Sequence, residues 1–423
     1  MRTAEAWTAF EALWTPEGRA DPYAHYPALR SSGPVFTAGP RRAVVSGYRE
    51  CEQVLRDPAF RVCDPEWGDR EWPGWHDHPS VVCFYTALMH RDPPANQPAR
   101  KLLSRCFAAR AVSEMGSAVR RQVSRHVDRI IELGSDPAGA DVIAEFTKPL
   151  SMAVLGEFLG LPESDQPMLR DWIMDFAAAN EYVPPGGPDL TAADEAAGHL
   201  REYLTAHVSA GRGDVIGSMA GEWGPDGRDD LVSNLMFLTA AGTETSTYLL
   251  GNGMVRLAAD PDLFARLHHR PERAREFMAE LVRHDPPILY TARWTGEATT
   301  LGGVRLPRHT LLLVLFAAAN RDPAVFPDPD RFVLDRFDPE RMAADAAQPL
   351  SFGHGRHFCP GSAVARLTGE TAFRLLAERC ERLTRTRPPT RHDGLIAHGH
   401  AAAPVAFTPW AFRRPGRRGG QGG

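Results

Sequence analysis

Lysine is nearly missing from this chain of 423 residues: Lys101 and Lys148 are the only two, so arginine fills the other 46 of the 48 basic positions. The imbalance reads as the codon usage of a GC-rich bacterial genome rather than as chemistry. Basic residues are also the minority, 48 against 53 acids, for a formal net charge of -5. That balance disfavours a general role in nucleic-acid binding. Cysteine is scarce as well, with Cys51, Cys63, Cys83, Cys106, Cys359 and Cys380 widely scattered. Without a C-x-x-C pair or a dense framework, neither a zinc ribbon nor a disulfide scaffold is indicated, and reduced thiols in a cytoplasm fit best. The longest apolar runs, such as residues 310–319, are too short to span a bilayer, and charges run through the first thirty residues. Neither a membrane anchor nor an export signal is expected.

The remaining composition, 43% hydrophobic and 24% charged, is that of an ordinary globular protein with a core large enough to enclose a ligand. Length alone allows two or three domains, or one large helical unit, so motifs must decide. Apolar residues three and four apart dominate from about Pro98 to Arg283 and predict stacked helices. Short β-like runs flank them at residues 34–47, 299–315 and 395–408. The longest helical pattern covers residues 230–259 and is apolar on almost every side, yet its middle holds Gly242, Thr243, Glu244, Thr245, Ser246 and Thr247. A buried helix carrying a carboxylate and several hydroxyls marks a functional site, or else a cluster of threonines bonded back to the helix.

The most specific stretch is Phe352-Gly353-His354-Gly355-Arg356-His357-Phe358-Cys359-Pro360-Gly361, followed by a helical pattern. Two glycines permit a tight turn that brings the backbone close to a flat group. Pro360 reads as the first helical position, where its missing amide hydrogen costs nothing, and the amides beyond it would stabilise a thiolate on Cys359. Such a thiolate can be a nucleophile, a metal ligand or a haem ligand, and an isolated cysteine is more often a small buried hydrophobe.

This ten-residue run resembles the haem-binding signature of the cytochrome P-450 haem-thiolate monooxygenases and matches it at every defining position. Other landmarks of that family follow in its order. Ala241-Gly242-Thr243-Glu244-Thr245 is similar to its oxygen-activating A-G-x-[D/E]-T, and Glu280-Leu281-Val282-Arg283 to its E-x-x-R element, with Arg336 as the arginine that joins the pair. The resemblance implies a mainly α fold with small β-sheets. It places haem b (iron protoporphyrin IX) between the long distal helix and the cysteine loop and helix. Residues 1–412 would form one domain, with 413–423 a disordered Arg/Gly tail.

By the same resemblance Cys359 ligates the iron, Glu244 and Thr245 relay protons, and Gly242 lets the helix open locally to leave room for dioxygen. Ala241, Phe352 and Gly361 would contact the haem, and Arg100, Arg293 and His357 its propionates. Asn96 stands where the family's D-P-P-x-H-x-x-x-R has histidine, and it can still donate a hydrogen bond. His309 replaces a common turn glycine, with a local change expected there. Substrate walls are expected from residues 64–82, 176–190, 237–241, 287–291 and 397–402, with Trp75, Val82, Phe176, Phe237, Ala240, Leu289, Tyr290 and His400 as wall residues. Trp67, Trp72 and the other aromatics suit an apolar or aromatic guest or equally an ordinary core. His76, His78 and His398 are further candidates for hydrogen-bonding a substrate.

The chain has no flavin domain, iron–sulfur cysteine set or nicotinamide fingerprint, so electrons would come from an external ferredoxin and an NAD(P)H-dependent reductase. Arg100, Lys101, Arg105 and Arg110 form a candidate docking face, or simply a solvated helix surface. The expected activity is insertion of one oxygen atom from O2 into a small molecule, in tailoring of a bacterial secondary metabolite in the cytoplasm. Oxidative C–C or C–O coupling, peroxide-driven oxidation, and a non-catalytic haem sensor are the alternatives. Glu244 and Thr245 favour the first, and a sensor would be expected to carry an output domain.

Overall fold

A thirty-two-residue helix, Arg228–Ala259, organises the molecule. At 1.5 Å per residue it extends about 48 Å. Asp229 and Asp230 lie in its first turn, where negative charge complements the helix dipole. It stops at Asp260, whose carboxylate caps the next helix, Pro261–His269, by accepting from the Leu263 amide. The computed structural model describes residues 2–181, 189–210, 215–224, 227–343 and 346–410. The expected tail at 413–423 and residues 182–188 of the expected substrate wall lie outside the described residues.

The central helix packs against Lys148–Leu159, Gln166–Ala177 and Thr191–Ser209. A second layer forms where Ser362–Arg379 packs on Ala109–Leu133 and Ala274–His284. Ala109–Leu133 shows why: Val112, Val119, Val123, Val127 and Ile130 recur at helical spacing and are buried, while the intervening arginines face outward. Two hydrophobic clusters result, and the central helix feeds both. Leu231, Leu235, Met236 and Leu238 belong to one, and Leu249, Leu250, Met254 and Leu257 to the other. The polar stretch 241–247 lies between them.

The three β-like runs of the sequence all form strands. Val35–Thr37 and Arg42–Val45 make an antiparallel hairpin, Leu311–Val314 joins the second parallel, and Thr291–Thr295 and Phe60–Arg61 complete a five-stranded sheet. Pro404–Pro409 pairs antiparallel with Cys380–Arg385 on one side and with Ala140–Asp141 on the other, and Thr390–Arg391 pairs with His400–Ala402. His309 takes the positive φ of the glycine it replaces, 64°, and its ring stacks on Trp294 at 5.3 Å. Among the described residues no helix is long and apolar enough to cross a membrane.

Candidate active site

Cys359 sits at the end of a loop that its own backbone closes. Gly353 and Gly355 have φ of 72° and 65°, and a Cβ on Gly355 would lie 2.8 Å from the Leu55 carbonyl oxygen, so only glycine fits there. The Cys359 amide then donates to the Phe352 carbonyl at 2.8 Å. The following helix begins at Ser362, with Gly361 as its cap, so Pro360 is a turn residue and not the first helical position. The closing bond to Phe352 holds the chain in the loop for two residues more. As a result the amides of Gly361 and Ser362 reach the sulfur itself. Burial pushes the Cys359 thiol up, opposed by the Gly361 amide, the Arg100 charge and the Ser362 amide. A half-buried sulfur already provided with donors is suited to binding a cation.

Polar groups converge beside this loop. Arg100, on the helix Gln97–Cys106, donates through Nη2 to the Phe358 carbonyl at 2.6 Å. Asn96 is buried and its Nδ2 has no partner among the described residues. Asp92 joins His357 Nε2 at 2.9 Å and Arg356 Nε at 3.0 Å through one oxygen, and accepts from the Val62 amide through the other. Burial works to raise the Asp92 carboxyl, but its bond to His357 and the Arg356 charge hold it below the usual range. Burial lowers both His357 and Arg293. Arg293, buried on Thr291–Thr295, donates through Nη1 to Thr291 Oγ1 at 3.2 Å and the Ala292 carbonyl at 2.7 Å. Two guanidiniums and an imidazole around a single carboxylate, with an unpaired buried amide nearby, leave room for further negative charge.

On the central helix Phe237, Ala241, Gly242, Thr245 and Ser246 are half-buried, whereas Leu238, Ala240, Thr243, Glu244 and Thr247 are buried. Their spacing places the half-buried set on one face, open in the middle of an otherwise enclosed helix. Gly242 lies within the continuous helix Arg228–Ala259. Thr245 Oγ1 donates to the Ala241 carbonyl one turn back at 2.6 Å, the bond a threonine makes to its own helix. Glu244 receives no hydrogen bond among the described residues. Burial, aided by the Glu181 charge, pushes its carboxyl up to about 8.

Glu280 and Arg283 form a buried bidentate pair, Nε–Oε2 at 2.8 Å and Nη2–Oε1 at 2.7 Å, and Arg336 Nε reaches the same Oε1 at 3.1 Å. All three lie away from the open face and brace the Ala274–His284 helix against residues 320–336.

Several expected wall residues are buried in the first hydrophobic cluster. Phe176 is fully buried and stacks on Phe84 at 4.7 Å, and Trp75 is in the same core with its indole N–H on Asp69. Their aromatic surface is used in packing, as is that of Ala240. Leu289 and Tyr290 line an apolar crevice with Phe10, Leu13 and Trp14 of the N-terminal region. Val82 and Phe237 stay half-buried against the first cluster. Of the histidines, His76 joins Asp69, His78 joins Asp194, and His398 lies 3.4 Å from Asp285. His400 is buried, and burial lowers it to about 3. The expected docking face is partly neutralised, since Arg105 pairs with Glu222 and Arg110 with Glu114. Asp92 and Arg356 lie inside motifs the sequence singles out but carry no role there, and Glu181 falls inside the expected wall segment 176–190 with no role of its own.

The family model for cytochrome P-450 matches residues 226–398. The monooxygenase PikC of Streptomyces venezuelae is 30% identical over 417 residues, covering 95% of this chain and 94% of PikC. The 6-deoxyerythronolide B hydroxylase of Saccharopolyspora erythraea is 30% identical over 370 residues, covering 84% of this chain and 88% of the hydroxylase. Mycobacterium smegmatis CYP164A2, solved with econazole bound, superposes with a TM-score of 0.81 at 27% identity, covering 95% of this chain and 100% of that chain. The chain belongs to the cytochrome P-450 family. It is accordingly a haem-dependent oxidoreductase that works on a small-molecule substrate with O2 and a redox partner.

Proposed function

We propose that residues 1–412 form one haem-thiolate monooxygenase domain that inserts an oxygen atom from O2 into an apolar small molecule during secondary-metabolite tailoring. The observation that carries this reading is Cys359 presented on a glycine loop with the Gly361 and Ser362 amides on its sulfur. The hydroxylase relative, named for 6-deoxyerythronolide B, supports the substrate class.

The residues fit haem. Cys359 would ligate the iron, Phe352 and Gly361 would lie beside it, and Ala241 would face it from the distal side. Asn96 Nδ2, Arg100, Arg293 and His357 offer the donors that two propionates require. Haem held by Cys359 would supply iron for the activation of O2, which thiolate ligation favours.

One turnover consumes the substrate, O2, two electrons and two protons, and yields the hydroxylated product and water. Glu244 is protonated at neutral pH, held so by burial, and is therefore a proton donor rather than a fixed charge. Thr245 commits its hydrogen to Ala241, which leaves its oxygen free to accept a hydrogen bond and so to position the group to which Glu244 gives its proton. An external ferredoxin with its reductase supplies the electrons in the cytoplasm.

The test is the spectrum of the dithionite-reduced carbonyl complex, in which a thiolate-type band is expected. An imidazole-type spectrum would overturn the reading. Glu244→Gln is expected to lower the rate of product formation by about 10²-fold or more, measured once a screen for spin-state change has supplied a substrate. Rates in the wild type should fall as pH rises through about 8, where Glu244 loses its proton. The sign for stability is the same. Because the folded value exceeds the ordinary 4.5, the contribution of protonated Glu244 is complete below that value and is lost as pH rises towards 8.

A further inference from the structure

Glu181 and His392, to which the family landmarks give no role, meet the distal acid. One carboxylate oxygen from each of Glu181 and Glu244 and one ring nitrogen of His392 lie within 4.8 Å of one another. Glu181, at the end of a helical turn, is fixed in place: its Oε2 accepts from the Leu395 and Ile396 amides at 2.7 Å, and its Oε1 from Ala397 at 2.6 Å. Gly394 permits this, since a Cβ there would stand 2.9 Å from Glu181 Oε1 and 2.8 Å from the Ala397 carbonyl oxygen. The His392 ring stacks on Tyr248, one turn along the central helix from Glu244, at 5.1 Å and 27°. His392 is half-buried, and the next residue, Asp393, is exposed and paired with Arg19. The three groups therefore run from the enclosed middle of the helix to the protein surface, at separations that one bridging water spans.

We propose that His392 and Glu181 form the outer part of the proton path, restoring Glu244 from bulk water after each transfer. The proposal rests on the monooxygenase reading above. Glu244 gives its carboxyl proton to the distal side and becomes a carboxylate. Water protonates His392, the proton crosses Glu181, and Glu244 is made neutral again, with no electron moved. Charged and titratable neighbours suit this traffic. Glu181 faces Glu244, Arg19, Tyr248 and Tyr290, whereas His392 faces Asp393 and Lys148. Burial outweighs the three amides and raises Glu181, and burial lowers His392. Neither group holds its charge so firmly that a proton would be trapped on the way.

The holoenzyme is compared with Glu181→Gln and His392→Phe, using a plant ferredoxin, its reductase and NADPH without added substrate. Both variants are expected to oxidise NADPH several-fold more slowly, with a larger solvent deuterium isotope effect and a displaced pH profile. The phenylalanine keeps the stack on Tyr248, so that variant tests the path even where Glu181→Gln folds poorly. Infrared titration gives a readout independent of turnover. A buried carboxyl band that is absent in Glu244→Gln should titrate at lower pH in Glu181→Gln, because a like charge has been removed. Unchanged isotope effects and pH profiles in variants that retain the thiolate-type carbonyl spectrum would overturn the relay alone. Loss of that spectrum in the wild type would instead overturn the reading beneath it. Tight Zn2+ binding to the wild type, abolished in Glu181→Gln, Glu244→Gln and His392→Phe alike, would replace the relay with a metal site.

Discussion

Exchanging Cys359 for alanine is expected to erase the thiolate-type carbonyl spectrum completely while leaving the fold intact. The side chain is small and half-buried and lies outside the hydrophobic clusters, so its packing contribution is slight. What is lost is the acceptor of the Gly361 and Ser362 amides and the only sulfur on the glycine loop. Cys359→Ser separates the two contributions. A hydroxyl oxygen can still accept from those amides, yet it ionises far less readily than a thiol and gives the iron no thiolate donation. The other cysteines offer no substitute. Cys51, Cys63, Cys83 and Cys380 are buried, Cys106 is half-buried, and burial pushes all five thiols up; Cys51 and Cys83 also direct their sulfurs at backbone carbonyls. Circular dichroism should show native helix content in both variants. A thiolate-type band surviving in Cys359→Ala would mean that another residue is the ligand.

Arg283→Ala should have the largest effect on stability. The guanidinium has no exposed surface and makes five hydrogen bonds, two to Glu280 and three to the carbonyls of Asn320, Pro329 and Arg331. Removing it leaves a buried carboxylate facing Arg336 and the Val333 amide, with three carbonyls stripped of a donor. Breaking one side of a buried pair costs about 3–5 kcal/mol, a large part of the roughly 5–15 kcal/mol that holds a domain together. Little folded holoenzyme should accumulate, and the urea midpoint should drop accordingly. Arg283→Lys should fall nearly as far, because one ammonium cannot reproduce the fork. Arg336→Ala should be milder, since Glu280 keeps both bonds to Arg283. The account fails if Arg283→Ala lowers stability by less than about 1 kcal/mol, the range of an exposed pair.

What the sequence made legible was local. The cysteine loop, the Glu280–Arg283 spacing and the polar interval of the central helix are each written in a dozen residues or fewer, and local geometry follows from them directly. The central helix was placed within two residues of its start because Asp260-Pro261 ends it and apolar residues fill it. Where local preferences compete, the reading went astray: Pro360 favours a helix start, but the Cys359–Phe352 bond delays it. Thr245 suits both oxygen chemistry and a bond back to its own helix, and the structure shows the latter in place. The substrate wall was least legible, because Trp75 and Phe176 are as fit for a core as for a pocket. Asp92 with Arg356 and His357, and Glu181 with Glu244 and His392, join residues distant in sequence that only the tertiary fold brings together.

The two-part anchoring of the central helix bears on how such a protein can change. Its ends hold two separate apolar clusters, and the interval 241–247 contributes side chains to neither. Substitutions in that interval can therefore alter chemistry without opening either core, whereas a change at Leu235 or Met254 loosens one of them at once. Descendants of this chain are free to diversify the reaction at the middle of the helix while inheriting its ends unchanged.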